Sequence, residues 1–146
     1  MASTQASDSI LQNIKVTQYD FDPDSTSATD VAWVDMRDFG KFAFSFFRTV
    51  GTSDVTVQIL ANSESDGSGS DVVVKTWTNS AFGDPDAVGD YAFGECSSEE
   101  LASLGSTLRY VTVNLAFGTG TDEAVVTYIR TDPRWAYDGL TANSIA

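Results

Sequence analysis

Histidine is absent from the 146 residues, cysteine occurs once and Lys plus Arg number only eight. Without histidine the chain lacks the commonest general base, the Ser/His triads and the His-containing metal sites. With Cys96 alone, zinc has no ligand set and no internal disulfide can form, so the chain is not built for an oxidising compartment, and synthesis in a cytoplasm fits it. The few bases stand against 21 Asp and Glu, a formal charge of −13. That balance excludes a phosphate backbone as partner and repels anionic membrane surfaces. No apolar run approaches the roughly 20 residues of a spanning helix. The opening MASTQASDSI has neither a basic segment nor a long apolar one and does not read as a secretory signal.

What the chain does have is core material: 42% of residues are apolar, with nine Phe and three Trp. Short runs of β-branched and aromatic residues alternate with period two between clusters of Gly, Ser, Asp, Asn and Pro. In KFAFSFF, Phe42, Phe44 and Phe46 share one face; Val55, Val57 and Ile59 do so in DVTVQIL, Val111, Val113 and Leu115 in VTVNLAF, and Val125, Thr127 and Ile129 in AVVTYIR. About eight strands are expected, at 14–21, 30–36, 40–49, 54–61, 70–78, 90–95, 107–117 and 122–131. Their spacing is that of an all-β antiparallel sandwich, jelly-roll-like, and not of βαβ units. One helical turn is expected in SSEELASLG, where Ser97 and Glu100 form a capping box, Leu101 and Leu104 an apolar pair and Gly105 a stop. The expected division is an extended N-terminal arm at 1–12, the sandwich at 13–135 and a tail at 136–146.

Few residues invite a chemical reading. YDFDPDS and GDPDAVGD hold Asp pairs around a proline, and two carboxylates at fixed separation can cleave a glycosidic bond. Asp and Pro beside Gly or Ser also make tight turns, which is the expectation here. Cys96, before the capped turn, is expected to be a small buried hydrophobe. Trp33, Trp77 and Trp135 either pack in the core and interfaces or form a stacking platform for a glycan. NSESDGSGSDVV begins like a calcium loop, with Asn62, Glu64, Asp66 and Gly67 at positions 1, 3, 5 and 6, but Val73 stands where the bidentate Glu belongs. A hairpin loop is expected, with an irregular Ca²⁺ cluster of Glu64, Asp66 and Asp71 as the alternative. No catalytic residue and no cofactor are expected.

The order of segments carries more. ATDVAWVDMRDFGKFAFSFF, VTVQILANSESDGSG, SSEELASLGSTLRYVTVNLAF and AVVTYIRTDPRWAYDG follow one another. This succession, over about residues 28 to 138, resembles small tailed-phage virion proteins that decorate the capsid (cement proteins) or associate with the head. Thr131 stands where that group often has Gly before D-P-R, and Trp135 where Tyr is usual. The resemblance implies a structural, non-enzymatic protein on the capsid exterior, made in the host cytoplasm, with the major capsid protein and neighbouring copies of itself as partners. Its strong acidity would suit an exposed position on the particle. Contacts would come from the arm, around Ile10, Leu11 and Ile14, and from Arg134 and Trp135 in the tail. The alternatives for these ends are a frayed arm and a tail folded back on its own domain. The rival functions are a head-tail adaptor, collar or tail component, and a host-glycan-binding sandwich.

Overall fold

The computed structural model describes residues 14–133. The chain forms β1 (Lys15–Phe21), β2 (Thr29–Asp30), β3 (Val34–Asp35), β4 (Phe39–Val50), β5 (Val55–Asn62), β6 (Val72–Trp77) and β7 (Tyr91–Ser97). The last elements are α1, β8 (Tyr110–Phe117) and β9 (Glu123–Pro133). The helix α1 covers Ser98–Leu104.

Two antiparallel sheets face each other, one in the order β1-β9-β4-β7, the other β2-β8-β5-β6 with β3 also on β8. Counting β2 and β3 as one interrupted strand, the pairs are nested: first with last, second with next to last, and so inward to β5 with β6. This is a long two-stranded ribbon rolled up on itself, the jelly-roll order that the sequence suggests. Between the sheets lie Phe42, Phe44 and Phe46 against Val55, Val57, Ile59, Val111, Val113 and Leu115, all buried. Each buried side chain of this kind contributes about 1.5–3 kcal/mol relative to exposure.

The strand expected at 30–36 is broken in two. Asp30 pairs with Asn114 but Val34 with Val111, so residues 31–33 face only two residues of β8. The side chain of Tyr128 on β9 crosses the core into this bulge. Its hydroxyl donates to the Ala32 carbonyl at 3.0 Å and accepts from the N–H of Val113 at 2.9 Å and of Ala32 at 3.3 Å. One oxygen thus satisfies backbone groups that the bulge leaves without ladder partners. Burial pushes the phenol up to about 12, so it stays protonated and able to donate. Tyr128→Phe is expected to lower the free energy of unfolding by about 1–3 kcal/mol, because buried amides lose their partner while the ring still fits. Urea unfolding of the two proteins measures this.

The helix forms as the capping box requires: Ser97 Oγ accepts from Glu100 N–H at 3.2 Å, and Glu100 returns the bond to Ser97 N–H at 2.7 Å. Leu101 is buried but Leu104 is exposed. A helix of two turns on one rim buries Ser98 and presents a single apolar residue, Leu101, to the core, so the expected Leu101–Leu104 pair does not pack together.

Candidate protein-docking surface

On β9 the apolar residues lie on both sides. Ala124, Val126 and Tyr128 point inward, so Val125, Thr127 and Ile129, which share a face as expected, belong to the outer surface. The register continues this surface across the four-stranded sheet in three rows. They are Val16-Ile129-Ala43-Glu95, Gln18-Thr127-Ser45-Phe93 and Asp20-Val125-Phe47-Tyr91. Phe93 is 67% exposed, Tyr91 66%, Val16 60% and Phe47 44%. The Tyr91 and Phe93 rings meet edge to face with centroids 5.5 Å apart.

Within these rows the only charges are Asp20 and Glu95, at opposite corners, on a chain of net charge −13. The outer face of the five-stranded sheet is different. There Asn114 donates to Asp30 at 2.7 Å and Gln58 to Thr76 at 3.2 Å, a polar ladder suited to water. An aromatic face whose two charges sit at its corners, on an otherwise acidic protein, is a candidate surface for contact with another protein. Strands about 4.8 Å apart and rows about 6.8 Å apart give it an area of about 400 Å². That is about half of what one partner contributes to a stable interface, so this face alone supports weak binding.

The aromatic end of the face is held by a buried cation. Arg48 follows Phe42, Phe44 and Phe46 at the next inward position of β4 and is 0% exposed. It donates from Nη1 to Asp122 at 2.8 Å, from Nε to the Pro85 carbonyl at 2.5 Å and from Nη2 to the Ser53 carbonyl at 2.6 Å. Its guanidinium lies 5.2 Å from the Phe117 ring centroid. Asp122 also accepts from the N–H of Ser53 at 2.9 Å and from its hydroxyl. Gly51, at φ 90°, leaves room for this carboxylate where any Cβ would collide with it. Three loops are tied to one guanidinium, among them the loop that leads into β7 and sets Tyr91 and Phe93.

The open edge of β7 adjoins the same face. Arg48 N–H donates to the Asp90 carbonyl at 2.9 Å, which fixes the alternation along the strand. Ala92, Gly94 and Cys96 therefore bond within the sheet, while Tyr91, Phe93 and Glu95 turn their N–H and C=O groups outward. Consistent with this, Lys75 reaches the Glu95 carbonyl from outside at 2.8 Å.

The residues singled out in the sequence fall elsewhere. Ile10, Leu11, Arg134 and Trp135 lie outside the described residues; Ile14 is exposed, just before β1. Glu64, Asp66 and Asp71 are not gathered. Asp71 accepts from the buried Asn62 side chain at 2.7 Å, Asp66 from Ser68 N–H at 3.0 Å, and Asn62 from Glu64 N–H at 2.9 Å. Among the described residues no three of His, Cys, Asp or Glu converge as metal ligands. Gly67 has φ 74° and its Cα backs onto the Trp33 indole, so this stretch is a hairpin loop folded on its own side chains.

Trp33 and Trp77 form no common platform. Trp77 packs against Phe44 and Phe82, with centroids 6.1 and 5.8 Å away, and Trp33 donates to Asp30 at 3.2 Å. Asp84 and Asp86 both accept from Asn79, as turn residues do. Cys96 is buried, which pushes its thiol up to about 12 and leaves it a hydrophobe. The groove beside α1, about 290 Å³ and lined by Met36, Leu101 and Leu108, lies at the lower limit of small-ligand pockets.

The segments that carry the phage resemblance find structural uses. In V-D-M-R-D-F, Met36 enters the core and Asp35 holds the Arg109 of L-R-Y-V-T-V in a two-pronged pair, at 2.9 and 2.6 Å.

No family model matches the sequence, and no curated protein does. Among solved structures the chain is similar to a protein of the Bacillus endospore appendages, disulfide-linked pili, at 16% identity and TM-score 0.48, over 81% of this chain and 86% of that one. It is also similar to the SPBc2 prophage-derived protein YomS at 10% identity and TM-score 0.45, over 81% and 95%. A chain in the capsid structure of Helicobacter pylori bacteriophage KHP30 matches at 10% identity and TM-score 0.45, over 83% and 89%.

Proposed function

We propose that the protein is a structural component of a tailed-phage virion and decorates the shell by seating the outer face of its four-stranded sheet on major capsid subunits. The observation that carries this is the exposed aromatic cluster of Phe47, Tyr91 and Phe93, in rows whose only charges are Asp20 and Glu95 at opposite corners, on a chain of net charge −13. The succession of sequence segments supplies the class of partner. A face of about 400 Å² binds weakly alone, but contact with two neighbouring subunits at once gains from effective concentration. The acidic remainder of the surface then faces solvent and keeps particles apart.

The test is the copy number in purified virions, by quantitative gel densitometry against the major capsid protein. Decoration requires a number comparable with the capsomers of the shell. A few copies per particle would instead make the protein a connector or tail component, and none would remove it from the virion.

A further inference from the structure

We propose that the open edge of β7 takes an added strand, and that residues 1–13 of a second copy supply it. The outward N–H and C=O groups of Tyr91 and Phe93 have no hydrogen-bond partner among the described residues. Natural sheets normally blunt such edges with charge, bulges or brevity. The other edges here are blunted. β6 has a bulge opposite Ile59 and Leu60 and carries Lys75, β2 and β3 have two residues each, and β1 carries Lys15 and Asp20. Residues 91–94 of β7 carry no charge, no proline and two exposed rings. An added strand would also extend the docking face, which is too small by itself for a stable interface.

Length, charge and position select the occupant. β7 has seven residues, about 23 Å, whereas 13 residues reach up to about 45 Å. Asp8 is the only ionisable side chain before Ile14, so this segment approaches an acidic molecule with little repulsion. Ile10 and Leu11 give each face of an added strand one apolar side chain. Residues 134–146 hold an Asp138-Gly139 turn pair in their middle and suit a strand of this length poorly. Finally, the segment precedes β1, which lies at the opposite edge of the same sheet from β7. A neighbour placed edge to edge therefore starts its segment beside this strand. The contact is head to tail, so repetition gives a ring where the rotation between copies closes and an open filament where it does not.

Light scattering on the purified full chain, with no virion component present, tests this. A multiple of the chain mass is expected for the wild type, and the monomer for a chain lacking residues 1–13. Phe93→Pro is expected to be monomeric too, since it removes an outward N–H and leaves the ladder to β4 intact. A synthetic peptide of residues 1–13 should bind the truncated chain one to one, and binding should fall at least tenfold with Phe93→Pro in that chain. A monomeric wild type, a truncated chain that still associates, or peptide binding unchanged by Phe93→Pro overturns the proposal.

Discussion

Asp122→Ala is expected to destabilise the protein by about 3–5 kcal/mol, the cost of leaving a buried charge without its partner. For a domain of this size that lowers Tm by roughly 10–20 °C. The reason is Arg48, which is 0% exposed and has no second carboxylate to turn to within the described residues. Loss of Asp122 also strands the Ser53 N–H and hydroxyl. Adding Arg48→Met is expected to restore part of the loss, because the charge is gone, but only part, because the Pro85 and Ser53 carbonyls lose their donors. Thermal unfolding of the single and double variants measures both effects. The same pair sets the acid response. Burial alone would raise the Asp122 carboxyl, yet the Ser53 bonds and the Arg48 charge outweigh it and hold it below its ordinary value of 3.8. The Arg109 hydrogen bond likewise holds Asp35 low. A carboxyl whose folded pKa is depressed stabilises fully above its unfolded value and loses that contribution as pH falls toward the folded one. Stability is therefore expected to drop below about pH 4, and less steeply in Asp122→Asn.

The second large effect concerns binding and leaves the fold alone. The double variant Phe47→Asp, Phe93→Asp is expected to bind heads made without the protein about a thousandfold more weakly, taking each aromatic anchor as worth about 2 kcal/mol. Both side chains are substantially exposed, at 44% and 67%, so Tm should change by only a few degrees. Thr56→Asp with Thr76→Asp, on the exposed face of the other sheet, adds the same charge and is expected to leave binding unchanged. Co-sedimentation with such heads reads all three.

Much of this fold is legible in the sequence because burial follows period two. Phe42, Phe44 and Phe46 name the core side of β4 by their spacing alone, and the next inward position in that count is Arg48. A buried cation is thus signalled, but its partner Asp122 is 74 residues away and no local pattern connects them. β9 defeats the same reading, because Val125 and Ile129 alternate with Val126 and Tyr128 and both faces are apolar. The second apolar side is the outer face that also bears Phe47, Tyr91 and Phe93, whereas a strand at the surface of a two-sheet sandwich needs apolar residues on one side only. The break at 31–33 is not legible either, since it depends on a hydroxyl delivered from the opposite sheet. Part of the calcium-like spacing reflects the demands of a tight loop: the side-chain oxygens of Asn62 and Asp66 each accept from the N–H two residues on, while Glu64 takes part through its backbone.

A cryo-electron microscopy map of the virion shows where the domain sits. It is expected on the outside of the shell with β1, β9, β4 and β7 facing the capsid subunits and Phe47, Tyr91 and Phe93 at the contact. A domain seated through the polar face of β8, β5 and β6, or held away from the shell at the neck or tail, would contradict that placement.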